Sequence, residues 1–279
     1  MLPPQDFSHQ FVLSLIEISI TKNPPHGGFL FVVYYTSQYM TLFLIFILGL
    51  CIGSFLNVII IRLHDGASPL KGRSMCPQCK HTLAWYELIP LASFIIQQGR
   101  CRHCQAHISW QYPFVEFGTG VLFAMLSSPI FSYQFSVLSN FSITQLLNYL
   151  FLCILIVTFV TDLRWNLIYD AVVWPGIVLA LLITLSPYHL LAALVGGGAF
   201  ALQYILSRGA WVGSGDILLG AFLGLILGFP AILAALFLTY ISGSLVALLL
   251  MSLGGKKTKD TLPLGCFMCA VAILLLLIR

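Results

Sequence analysis

Asp162, in Thr161-Asp162-Leu163-Arg164, and Asp216, in Gly213-Ser214-Gly215-Asp216, stand at the edges of long apolar runs. A carboxylate placed where hydrocarbon is the expected solvent is costly to keep, so it marks a functional site by default. Two carboxylates that meet can hydrolyse a peptide bond by acid/base chemistry, one taking a proton and the other giving one. Taken alone, Asp162 reads equally well as an interfacial residue bonded to nearby amides or paired with Arg164. Asp216 is harder to explain that way. Gly213 and Gly215 free the backbone from helix geometry, and irregular backbone at membrane depth occurs where it is buried in protein or lines a wet cavity. The same glycines also suit a packing patch between helices. Asp170, which opens the run Asp170-Ala171-Val172-Val173, reads as a structural N-cap.

A second set of chemistry-bearing residues is Cys76-Pro77-Gln78-Cys79 and Cys101-Arg102-His103-Cys104, separated by 21 residues. Two such pairs form a tetrathiolate zinc pattern, in which the metal replaces a missing hydrophobic core. Four thiolates leave no open coordination position, so the expected role is structural. Two disulfides are the alternative, disfavoured if the segment lies in a reducing compartment. Cys51, Cys153, Cys266 and Cys269 lie in apolar runs and read as small buried hydrophobes. His81 and His103 read as surface neighbours of the cysteines.

The elements that must position these groups are set by composition. With 59% hydrophobic and 8% charged residues and a mean hydropathy of +0.97, the chain is expected to be an all-α polytopic membrane protein. Apolar runs near 38–61, 113–134, 145–161, 171–186, 189–207, 211–229, 231–253 and 262–278 suggest about eight transmembrane helices. The polar segment 62–112, between the first two, carries the cysteines as a zinc-ribbon-like loop. Residues 1–37 form an extension in which the apolar stretch 11–20 is short and carries Glu17, without the marks of a cleavable signal peptide. The division expected is therefore 1–37, then 38–134 with the cysteine loop, then a six-helix core over 135–279.

Lys and Arg fix the orientation, because positive loops stay cytoplasmic. Arg62, Lys71, Arg73, Lys80, Arg100 and Arg102 follow the first run; Arg164, Arg208 and Lys256, Lys257 and Lys259 fall on the same side, and the alternate loops lack both residue types. Asp162 and Asp216 then share one membrane depth, at the cytoplasmic edge. Asn57 reads as a bond across helices. Gly196-Gly197-Gly198, inside an apolar run, suits helix packing better than a dinucleotide fingerprint.

From about residue 49 onward the chain resembles the type IV prepilin peptidases, membrane aspartyl proteases that share a Gly-x-Gly-Asp signature with presenilin-type enzymes. The resemblance rests on Gly53-Ser54-Phe55-Leu56-Asn57-Val58 with Arg62-Leu63, the two cysteine pairs, and Trp85-Tyr86-Glu87-Leu88-Ile89-Pro90-Leu91. It continues through Gly99-Arg100-Cys101, Ile108-Ser109-Trp110-Gln111-Tyr112-Pro113-Phe114-Val115-Glu116, Asp162-Leu163-Arg164 and Gly213-Ser214-Gly215-Asp216. Two elements depart from the family pattern: Ile168-Tyr169-Asp170 lacks a proline, and Pro263-Leu264-Gly265-Cys266-Phe267 is partly kept.

The resemblance implies a bacterial inner-membrane enzyme that removes a short basic leader from pilin-like precursors at the cytoplasmic face, with Asp162 and Asp216 as its catalytic pair. It also implies methylation of the new amino terminus with S-adenosylmethionine, for which Glu116 is a candidate cofactor- or amine-binding residue. Expected partners are prepilin-like proteins and the lipid bilayer, and no nucleic acid. Two other classes compete: an ion- or proton-coupled transporter that uses the two aspartates as relays, and a non-catalytic assembly scaffold that docks through the zinc loop.

Overall fold

The computed structural model describes residues 27–69, 71–128, 143–184, 186–253 and 262–278, and most of the 1–37 extension lies outside them. The long helices are α1 (Gly27–His64), α2 (Gln111–Ser127), α3 (Ile143–Trp165), α4 (Asp170–Ile183), α5 (Pro187–Ser207), α6 (Ser214–Leu227), α7 (Ala231–Ser252) and α8 (Leu264–Ile278). The chain divides into two units, Met1–Leu44 and Ile45–Arg279. Of the first, the described part is the opening of α1, which starts well before the expected residue 38; all that follows concerns the second.

Each of the eight apolar runs carries one helix, and among the described residues four helices are long and apolar enough to cross a membrane: Tyr39–His64 within α1, and α3, α5 and α7. Helix length and composition thus account for four of the eight expected spans. At 14 residues each, α4 and α6 reach about 21 Å, short of a hydrocarbon core about 30 Å thick. Helix α6 ends at Gly228, whose φ of 70° and ψ of 177° form a conformation open to glycine and turn the chain out of the helix. Asp170 is the first helical residue of α4 and not its cap, which is Tyr169; its carboxylate still sits at the positive end of the helix.

The packing leaves broad apolar faces that suit a lipid surrounding. On α7, Phe237, Leu245, Leu248 and Leu249 are exposed, and on α5 so are Leu194, Leu202 and Ile205. Patches of this extent are not kept against water. Two buried clusters lie beneath. One joins α3 to α4, α5, α6, α7 and α8 around Leu155, Val173, Phe200, Phe222 and Met268; the other joins α1, α2 and α3 around Leu56, Ile60, Phe123, Leu152 and Val157. Helix α3 belongs to both, and Asp162 lies near its C-terminal end.

Helices α5 and α6 cross with their backbones in contact. A Cβ added at Gly196 would lie 2.3 Å from the Gly220 carbonyl oxygen, and one at Gly224 2.2 Å from that of Ala192. Only small residues permit this approach, so Gly196 and Gly197 serve packing, as their place in an apolar run suggested, whereas a Cβ on Gly198 would meet open space.

Candidate active site

Asp162 lies on a buried stripe of α3 with Leu155 and Thr158 and is itself 5% exposed. Its Oδ2 accepts a hydrogen bond of 2.7 Å from the backbone N–H of Cys266, in the first turn of α8, where unpaired amides point at an incoming acceptor. A Cβ on Gly265 would stand 3.0 Å from the same oxygen, so glycine there is what admits the carboxylate. The partly kept motif Pro263-Leu264-Gly265-Cys266-Phe267 therefore supplies the acceptor's partner, a role the sequence reading did not assign. Arg164, the partner considered for Asp162, instead donates to Gln111 Oε1 and lies over the Trp165 ring.

Asp216 is in the first turn of α6, after Gly213 in extended conformation. Its Oδ2 accepts from the Gly213 N–H at 2.9 Å, so the carboxylate closes its own helix start and is held rigidly. Gly215 admits Ile168: a Cβ there would lie 2.8 Å from the Ile168 Cβ, and Ile168 Cδ1 also presses on Gly265. Ile168 is thus a wedge between the starts of α6 and α8. The two carboxylates fall within electrostatic reach of each other, and the fully buried Cys269 on α8 is within reach of both. Three helix ends, at the C-terminus of α3 and the N-termini of α6 and α8, converge here.

A polar chain crosses the neighbouring helices. Asn57 on α1 donates to the Tyr112 carbonyl at 3.1 Å and accepts from Gln111 Nε2 at 3.2 Å, and Gln111 holds Arg164. Asn57 is 1% exposed and bonds across helices as expected. Beside this chain a largely apolar cavity of about 570 Å³ opens between α2, α3 and α8, lined by Phe114, Leu122, Ile156, Phe159 and Ile273, with Gln111 and Arg164 among its lining.

Glu116 is buried at the α1–α2 crossing. Its Oε2 accepts from the Leu91 N–H at 2.9 Å, and Ser54 on α1 lies beside its carboxylate. A cofactor or amine ligand would have to displace these partners.

The cysteine loop is built from two like turns. In the first, Cys76 N–H donates to His81 C=O and Lys80 N–H to Cys76 C=O; in the second, Cys101 N–H donates to Ala106 C=O and Gln105 N–H to Cys101 C=O. Lys80 and Gln105 both take positive φ, and an isolated bridge closes each turn, Met75 with Thr82 and Arg100 with His107. The four Sγ atoms lie within 4.8 Å of one another. Cys76 and Cys104 are separated by 3.8 Å, about the edge of a tetrahedron with 2.3 Å metal–sulfur bonds, so the residues fit a tetrathiolate metal. The Cys76 thiol is pulled down to about 7: burial opposes ionisation, but the amides of Cys79 and Gln78 and the thiols of Cys101 and Cys79 outweigh it. Cys79 is pushed up to about 11; the His81 amide favours its thiolate, and burial with Cys76, Cys104 and Cys101 outweighs that. One thiolate forms readily and the next is resisted, which is the electrostatic situation a divalent cation relieves.

Residues 47–133 match the bacterial peptidase A24 N-terminal domain and residues 149–248 the type IV leader peptidase family. A prepilin leader peptidase/N-methyltransferase of Bacillus subtilis is 32% identical over 83% of this chain and 92% of its own length. The chain belongs to the type IV leader peptidase family. Proteins of the same name from Myxococcus xanthus, 36% identical over 78% of this chain and 66% of theirs, and from Vibrio cholerae, 31% identical over 68% and 79%, extend the relationship. No solved structure matches significantly. The resemblance drawn from motifs is upheld, and both aspartates lie in the matched region of the second domain.

Proposed function

We propose that this chain is a bacterial inner-membrane aspartic endopeptidase that removes the leader of prepilin-like proteins and methylates the new amino terminus; its relatives are named prepilin leader peptidase/N-methyltransferase. The observation that supports the peptidase reading is that Asp162 and Asp216, on separate helices, fall within electrostatic reach of each other across the Ile168 wedge. One carboxylate, ionised, draws a proton from water as it attacks; the other, protonated, polarises the scissile carbonyl. Like charges this close resist joint ionisation, so the pair acts as a unit. The α8 amide on Asp162 and the Gly213 amide on Asp216 hold the two in register without consuming all their oxygens. The apolar cavity between α2, α3 and α8 would take the apolar segment that follows the cleaved bond.

Lys and Arg distribution supports eight spans with the dyad at the cytoplasmic face, a first region 38–134 bearing the cysteine loop, and a six-helix core over 135–279. Zinc held by Cys76, Cys79, Cys101 and Cys104 would supply a closed structural crosslink, and the residues themselves fold the two turns around it. S-adenosylmethionine would supply the methyl group when bound. Glu116 is engaged by the Leu91 N–H, and no step of the transfer is built on it. Family membership favours neither the transporter nor the scaffold.

The test is cleavage of a pilin-type precursor in proteoliposomes by the wild-type chain, Asp162→Asn and Asp216→Asn, read by mass spectrometry. Loss of leader removal in both folded variants is expected, with one added methylene mass on the wild-type product. Undiminished cleavage by either variant overturns the dyad.

A further inference from the structure

Beside the four thiols lies a second group of ligand-type side chains that the peptidase chemistry does not use. His81 follows Cys79 in the first turn, His103 precedes Cys104 in the second, and Glu87 sits in the short 3-10 helix Trp85–Leu88 between them. One nitrogen from each imidazole and one oxygen from Glu87 all lie within 4.8 Å of one another, and the two rings approach to 3.5 Å between centroids. Glu87 is 7% exposed. Its Oε2 accepts from the Ala84 N–H at 2.8 Å, while Oε1 is buried with no hydrogen-bond partner. Leaving a buried carboxylate oxygen unsatisfied is costly, and a cation at this point would satisfy it.

We propose that His81, His103 and Glu87 form a second divalent transition-metal site, separate from the four cysteines. Two imidazoles and a carboxylate suit zinc, cobalt or nickel rather than calcium or magnesium. Three protein ligands leave a coordination position for water, so the site is open and exchangeable where the tetrathiolate is closed. Because each ligand comes from a different part of the loop, an ion there ties the two cysteine turns to the Trp85–Leu88 turn.

The full chain in detergent, carrying its cysteine-bound zinc, is titrated with zinc and its metal content measured after gel filtration. Two zinc ions per chain are expected, the second removed by dialysis against a mild chelator. His81→Asn, His103→Asn and Glu87→Gln are expected to keep the first ion and to weaken the second by more than the roughly 10 to 100-fold that loss of an outer partner costs. Glutamine still accepts from Ala84, so Glu87→Gln tests charge rather than fold. On the wild type, X-ray absorption of cobalt added to the zinc-loaded protein is expected to show nitrogen and oxygen neighbours only; this reading stands even if a variant loses its first ion through misfolding. One zinc at saturation, a second ion unaffected in all three variants, or sulfur in the cobalt shell overturns the proposal.

Discussion

At the residue scale, the candidate dyad depends on groups that carry no chemistry of their own. Gly265 leaves room for the Asp162 carboxylate, with 3.0 Å to a hypothetical Cβ. Gly265→Ala is therefore expected to push Asp162 off its amide and to lower the rate of leader removal on the order of a hundredfold, the scale of a displacement near 1 Å. Metal content should be unchanged, and comparing kcat with zinc stoichiometry checks this. Ile168→Ala, which removes the wedge shared by Gly215 and Gly265, is expected to lower activity in the same assay while Asp162 and Asp216 remain in place. Cys76 gives a pH dependence. Its thiol ionises near 7 in the metal-free loop, so the thiolate is available above that pH and protons compete with metal below it. Zinc affinity in a chelator competition should fall as pH drops from 8 to 6.

At the element scale, α5 and α6 are locked by glycines at a crossing that has no spare volume. Gly224→Ala places a methyl 2.2 Å from the Ala192 carbonyl, and since backbone cannot yield as a side chain would, a loss of about 1 to 3 kcal/mol is expected. Gly198 is the control. A Cβ there meets nothing within 4 Å, and Gly198→Ala should be neutral or stabilising by about 0.5 to 1 kcal/mol. Thermal unfolding in one detergent separates the two. Because α6 carries Asp216, the Gly224 variant is expected to lose activity at temperatures below its unfolding midpoint as the helix start shifts.

At the scale of the whole molecule, α3 is shared by two buried clusters, so the region that holds the cysteine loop and the region that holds α4 to α8 meet on the helix that carries Asp162. The chain Asn57–Gln111–Arg164 crosses the same boundary. Asn57→Leu is expected to keep the fold of α5 and α6 but to release Gln111 and Arg164, seen as faster proteolysis of the Trp165–Asp170 turn. Much of this was legible beforehand. Apolar runs located the eight long helices among the described residues because hydrocarbon demands internally bonded backbone, cysteine spacing named the thiolate cluster because two short turns suffice to build it, and the two acids stood out because charge is rare in such runs. Helix lengths were less legible, since α4 ends at Ile183 and α6 at Leu227, inside the apolar runs 171–186 and 211–229. The histidine and glutamate cluster was not legible: its two histidines read one by one as surface and its glutamate carried no assigned role.

Sequence by itself determined the solvent, the helical class, the cysteine cluster and the identities of the two acids, because each follows from local composition or short spacing. Tertiary structure decided that Asp162 and Asp216 approach each other, that the amides at the start of α8 face Asp162, and that Arg164 bonds Gln111. Those relations join residues 53 to 104 positions apart, and which helix ends meet is decided by packing between helices, which no local pattern encodes.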